Sequence, residues 1–167
     1  MTEDQLEQLC LEWFAEGGWE TTSGADIAHD GPAPERTSYR QVLLLGDLER
    51  ALRRINPHLP DTALEQAMAI VAKPESLDTI VSNRGFHRLL LDGVPVEYKR
   101  DDEVIHDHAF LIDFTDLNAN RFRAINQFTL QGSKQLRRPD IVCFINGLPL
   151  AVLELKSPTA ENVDIWD

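Results

Sequence analysis

At 167 residues, 43% of them apolar and three of them Trp, the chain can bury a substantial core in a domain of ordinary size. Its net charge of −12 argues against nucleic-acid binding driven by the overall field of the chain, because phosphate backbones are met by Lys and Arg. No apolar run approaches the ~20 residues of a membrane span. The acidic start Met1-Thr2-Glu3-Asp4-Gln5 lacks a basic-then-apolar signal pattern, and Cys10 and Cys143 each lie in apolar periodic segments. These features point to a reducing cytoplasm and no membrane partner.

The first predicted element is an amphipathic helix with Leu6, Leu9, Cys10, Trp13 and Phe14 on its buried stripe. Thr2 and Gln5 form a capping box at its start, and Gly17-Gly18 ends it. Glu7 flanks that stripe on the side of Cys10 and Phe14, where helix geometry alone makes it a rim residue. Beyond Trp19, turns at Ser23-Gly24 and Gly31-Pro32-Ala33-Pro34 lead into a helical block. Val42 to Leu45 reads as a short helix, and Asp47 as the cap of a helix through Ile55. Asn56-Pro57 and Leu59-Pro60 break that block, Asp61 or Thr62 opens a helix through Val71, and a further helix runs from about Ser76 to Leu91. None of these helices carries a recognisable chemistry.

From Val94 the period becomes that of strands. The candidates are Val94 to Lys99, with a turn at Asp101-Asp102, then His108 to Phe114 and Arg121 to Phe128. His106 and His108 share a face, but no third His or Cys stands at zinc spacing, and edge strands carry such residues freely. Between Ala119 and Arg138 lie Arg121, Arg123, Lys134, Arg137 and Arg138 with no acidic residue, which fits either a solvated edge or a phosphate-facing strip.

The last two strands, within 138–156, are the informative ones. Arg138-Pro139-Asp140-Ile141-Val142-Cys143-Phe144-Ile145 and Leu148-Pro149-Leu150-Ala151-Val152-Leu153-Glu154-Leu155-Lys156 are apolar except for Asp140, Glu154 and Lys156. Strand alternation puts Glu154 and Lys156 on one face, roughly 6–7 Å apart at Cα. Charges on a greasy strand need partners. A Mg²⁺ held by Asp140, Glu154 and the Leu155 carbonyl, with Lys156 beside an attacking water, would supply them, since Mg²⁺ needs only one or two carboxylates and keeps several waters. A surface hairpin with a cross-strand ion pair fits the same residues. There is one geometric condition: a two-residue Asn146-Gly147 turn with regular pairing would set Asp140 opposite Leu153, on the wrong face. Convergence with Glu154 needs an odd-numbered loop or a bulge.

Taken together, Arg137-Arg138-Pro139-Asp140-Ile141-Val142, Asn146-Gly147-Leu148-Pro149-Leu150 and Glu154-Leu155-Lys156-Ser157-Pro158 resemble the nuclease region of the R subunit of type I restriction enzymes. Ile55-Asn56-Pro57, Asn83-Arg84-Gly85-Phe86-His87, Leu91-Asp92-Gly93-Val94, Leu111-Ile112-Asp113-Phe114, Asn120-Arg121-Phe122 and Asn126-Gln127-Phe128 extend the resemblance over nearly the whole chain. It implies an α/β mixed sheet of the restriction-endonuclease-like PD-(D/E)xK type over 1–167, with a helical insertion at about 35–92. It implies cleavage of double-stranded DNA with Mg²⁺ or Mn²⁺ by Asp140, Glu154 and Lys156, with Glu7 as a supporting acid at the metal, and the basic strip as a DNA contact. An alternative within the family is a module that binds DNA or docks subunits without cutting. Family members carry a Gln-x-x-x-Tyr helix soon after Glu-x-Lys, and this chain reaches Asp167 without one, so the resemblance also implies an N-terminal piece. Its partners would be methyltransferase and specificity subunits and ATP-driven motor domains outside these 167 residues.

Overall fold

Thr2 and Gln5 begin the first helix as the capping box requires: the Thr2 side chain accepts from Gln5 N, and the Gln5 side chain accepts from Thr2 N. In a computed structural model describing residues 2–73, 79–132 and 135–156, that helix is α1, Glu3–Glu16, closed at Gly17. It is followed by β1 (Glu20–Ser23), α2 (Leu45–Ile55), α3 (Asp61–Ala72), α4 (Thr79–Asp92), β2 (Val94–Arg100) and β3 (Glu103–Ala109). A 3-10 turn (Leu117–Ala119) precedes β4 (Phe122–Asn126), β5 (Leu130–Gln131), β6 (Leu136–Arg137), β7 (Ile141–Ile145) and β8 (Leu148–Leu153). The chain forms two units, Met1–Val42 with Phe122–Asp167, and Leu43–Arg121.

The first unit is built on a four-stranded mixed sheet in the order β1-β4-β7-β8, with β1 parallel to β4 and the other pairs antiparallel. On one face Ala124, Ile141 and Cys143 pack with Cys10, Leu11 and Phe14 of α1 and with Trp19, Leu153 and Leu155. Trp19 lies between Phe14 and Phe122, at 5.1 and 5.2 Å between ring centroids. The buried stripe of α1 is therefore centred on positions 7, 10, 11 and 14. Trp13, expected inside, is 59% exposed, and Leu11 takes its place. The opposite face carries buried Arg123, Ile125, Val142 and Phe144. There Phe144 meets Phe128 at 5.0 Å, the Arg36 guanidinium lies 3.9 Å from the Phe128 ring centroid, and Glu35 is bonded to Arg123. Burial lowers the pKa of Arg36, whose charge is met by rings and by the Thr129 and Gln41 carbonyls.

In the second unit Leu48, Ala51, Leu52, Ala63, Leu64, Ala67, Val94, Val96 and Tyr98 are buried, and α3 packs on β2. Gln66 binds both the N–H and the carbonyl of Glu97, at 3.0 and 2.9 Å, tying helix to strand. The inserted unit thus runs over 43–121 and includes the β2–β3 hairpin, later at both ends than the helical stretch 35–92. Helical period alone misses the hairpin, and Glu35 and Arg36 belong to the other unit. Asp47, expected as a cap, lies inside α2, buried, where it accepts from Arg50 and Arg121. Val42 to Leu44 precede the helix. The expected strand from His108 ends at Ala109. Buried Asn56 takes both backbone groups of Phe110, and Asn120 those of Asp113, so neither residue joins a ladder. No helix among the described residues is long and apolar enough to cross a membrane.

Candidate functional site

The β7–β8 hairpin turns through Asn146 (φ 53°) and Gly147 (φ 79°), both left-handed, as a two-residue type I′ turn requires. The pairs Ile145–Leu148 and Phe144–Pro149 follow directly. The next pair is Cys143–Ala151, and Val142–Val152 and Ile141–Leu153 continue from it. Leu150 has no opposite number. Pro149 has no N–H to give the ladder, and prolines within sheets gather at edges and bulges; here the strand is at the sheet edge and the extra residue follows the proline.

That extra residue meets the geometric condition. The ladder ends at Ile141–Leu153, both of which face the α1-side cluster, so by alternation Asp140 and Glu154, each one step further on, fall on the other face together. Leu153 and Leu155 both point into the α1-side cluster, so Glu154 between them faces the other way, and alternation sends Lys156 with it. Asp140 is half-buried behind buried Pro139, while Glu154 and Lys156 are exposed. Asp140 Oδ2 accepts from Leu155 N at 2.6 Å, and the Asp140 carbonyl accepts from Gln127 N at 2.9 Å. Two carboxylates with a nearby backbone carbonyl, open to water on one side, suit a hard cation that retains several waters. Among the described residues no group of three or more His, Cys, Asp or Glu gathers to hold a metal, so a closed cage of protein ligands is not what these residues build.

Glu7 lies apart from this pair in its bonding. It is 8% exposed on α1, and its two carboxylate oxygens accept from Asn126 Nδ2 at 2.8 Å and from Gln127 Nε2. The basic strip divides. Arg123 is 2% exposed and makes a two-pronged pair with Glu35, at 2.6 and 2.9 Å, with Thr22 Oγ1 at 3.2 Å. Arg121 is half-buried against Asp47. Each is paired with an acid inside its own unit. Arg137 and Arg138 are exposed, and Lys134 lies outside the described residues. His106 pairs with Glu97 at 3.0 Å on the outer face of β2–β3. Neither composition nor spacing singles out Asn126 and Gln127 in the sequence; their one signal there is their place in Asn126-Gln127-Phe128.

Helices with a mixed sheet of parallel and antiparallel strands, closed at one edge by an irregular hairpin, make an α/β nuclease-like fold. The chain belongs to the family described as the N terminus of the type I restriction enzyme R protein, whose model matches residues 1–167. It is 38% identical over 167 residues to the type I restriction enzyme HindI endonuclease subunit of Haemophilus influenzae, covering 99% of this chain and 16% of that protein. It is 35% identical over 160 residues to the putative type I restriction enzyme MjaIXP endonuclease subunit of Methanocaldococcus jannaschii, covering 94% of this chain and 15% of that protein. The chain therefore spans about a sixth of the length of these relatives.

Proposed function

We propose that this chain is the Mg²⁺-dependent endonuclease domain of a type I restriction–modification R subunit, hydrolysing phosphodiesters of double-stranded DNA. The observation that carries the reading is the bulge at Leu150, a register shift that favours Asp140 and Glu154 on one face where a regular hairpin would separate them. A bound Mg²⁺ or Mn²⁺ would acidify a water and neutralise charge on the phosphate oxygens. Asp140 and Glu154, with the Leu155 carbonyl, are the groups that would hold it. The Leu155 N–H fixes the Asp140 carboxylate in orientation through the 2.6 Å bond. Lys156 orients the attacking water, takes part in its deprotonation and balances the two carboxylates. Arg137 and Arg138 precede Asp140 and are exposed, which suits a contact to the DNA backbone. Sequence recognition would come from methyltransferase and specificity subunits, and ATP would enter only through motor domains beyond these residues.

A second reading, a module that docks DNA or subunits without cutting, draws on the net charge of −12 and on the withdrawal of Arg121 and Arg123 into internal pairs. One experiment separates the two. In the assembled complex, Glu154→Ala and Lys156→Ala each abolish DNA cleavage while ATP hydrolysis continues. Cleavage that persists in both variants favours the docking module, and loss of both activities points to a role in folding.

A further inference from the structure

Glu7 reaches the site through Gln127. A carboxylate buried on α1 requires partners, and the two it has are the side-chain amides of consecutive residues, one on each oxygen. Those residues form the corner where β4 ends. Asn126 makes the last β4–β7 pair, with Ile141, and Gln127 then takes φ +54°, a conformation that L-residues with long side chains rarely adopt. In spite of that turn, Gln127 N–H still donates to the Asp140 carbonyl at 2.9 Å.

A backbone of this kind persists only where its surroundings over-determine it, and three contacts do so here. Glu7 holds the Gln127 side chain, and Asp140 holds its N–H. Gly24 closes against the corner from β1, donating to the Asn126 carbonyl at 2.7 Å, so close that a Cβ at position 24 would stand 2.7 Å from both Gln127 O and Phe128 Cα. Asp140 is in turn fixed at two points, its carbonyl by Gln127 N–H and its carboxylate by Leu155 N–H.

We infer that Glu7 is a positioning residue, acting through Gln127 to fix Asp140 against Glu154 and Leu155, and that Gln127 is the strut between helix and site. Its consequence for metal binding rests on the nuclease reading above; the strut itself does not. Both oxygens of Glu7 accept from amide donors of the corner, and among the described residues no group of three acids gathers, so the contacts of Glu7 run to the corner and not to Asp140 or Glu154.

Residue-resolved amide hydrogen exchange on this chain reads the strut without any metal. The unsubstituted chain protects the Gln127 and Leu155 amides. Glu7→Ala lowers protection about tenfold or more at both and leaves Val142, in the middle of β7, unchanged. Glu7→Gln preserves both amides to within about threefold, because a glutamine at position 7 pairs with Asn126 and with a turned Gln127 amide. Should Glu7→Ala fail to fold, Gln127→Gly removes the same bond in a backbone that glycine accepts, and it must show the same loss at Leu155. Unchanged protection at these amides in the folded variant overturns the inference. A calorimetric Mn²⁺ titration then tests the alternative role. Glu7→Gln is expected to bind Mn²⁺ within about threefold of the unsubstituted chain, and a loss of about tenfold or more with both amides still protected makes Glu7 a ligand and overturns the strut. If the unsubstituted chain binds no Mn²⁺ at all, the metal reading fails and the amides alone decide the strut.

Discussion

Two of the antiparallel hairpins among the described residues, β2–β3 and β7–β8, begin alike and end differently. Both turn on two residues with positive φ, Asp101-Asp102 in one and Asn146-Gly147 in the other. In β2–β3 the pairing then runs without a break from Arg100–Glu103 to Val94–Ala109, and burial alternates along β2, with Val94, Val96 and Tyr98 inside and Pro95, Glu97 and Lys99 outside. In β7–β8 the pairing slips by one after two pairs, and β7 is buried on both faces. The regular hairpin supports a helix. The irregular one carries the proposed acid pair, and one unmatched residue is what turns Asp140 and Glu154 to the same face in that proposal.

The largest effect should come from undoing the bulge's consequence without disturbing the strands before it. Inserting one Ala between Leu153 and Glu154 shifts every later residue to the other face. Glu154 would then point toward the α1-side cluster now filled by Leu155, and Leu155 toward water. We expect Mn²⁺ binding to be lost, and cleavage by the assembled complex to fall by about a hundredfold or more while ATP hydrolysis continues. Full cleavage in that variant would show that the facing of Asp140 and Glu154 does not matter. One Ala inserted between Asp101 and Asp102 only lengthens a surface turn, and cleavage should be unchanged.

The difference in burial predicts a second contrast. Phe144 is 0% exposed, stacked edge-on with Phe128 in the centre of a sheet covered on both sides. Phe144→Ala should lower stability in urea denaturation by about 3–5 kcal/mol. Lys99→Ala, on the open face of β2, should stay within about 0.5 kcal/mol.

How far this was legible in the sequence depends on the range of the interaction. The turns, the acid pair and the need for an odd loop or bulge follow from spacing alone. Choosing between loop and bulge does not, because the extra residue before Ala151 reads equally well as part of a longer turn; Pro149 was the one local hint. The stripe on α1 was misplaced because Glu7 occupies its head, so a hydrophobic count slid toward Trp13. In the basic strip the partners are distant in sequence. Arg121 and Arg123 look like neighbours of Arg137 and Arg138, but their acids, Asp47 and Glu35, lie 74 and 88 residues away. Pattern reading sees the charge and not the distant partner. The polar residues Asn56 and Asn120, which end the expected strand at Ala109, are the same kind of case.

Cys143 offers a reporter for the irregular hairpin. It is buried in β7, and burial pushes its thiol pKa up, while Cys10 on α1 is only partly covered. A raised pKa and lost access both suppress the thiolate. At mildly alkaline pH a thiol reagent should modify Cys10 first. Cys143 should react only as the sheet opens, at a rate that tracks denaturant. Equal rates at both thiols in the native chain would mean that β7 is not the closed central strand described above.

The smallest effect lies in the turns themselves. A type I′ turn asks for positive φ at both positions, and the two hairpins meet that demand with different residues. At its second position β7–β8 has Gly147, which has no Cβ to clash, whereas β2–β3 holds Asp102 at φ 64°. Asp tolerates the left-handed region better than most residues but still bears some steric cost. Asp102→Gly removes that cost in the folded state and adds backbone freedom to the unfolded one, and the two terms partly cancel. The expected net gain is about 0.5 kcal/mol, read as a small rise in Tm with cleavage unchanged. The reciprocal change, Gly147→Ala, places a Cβ where φ is 79° in a buried turn and should cost more than about 1 kcal/mol. If Asp102→Gly instead lowers the Tm, the Asp102 side chain is doing more than filling a turn, and the β2–β3 hairpin is less ideal than its register implies.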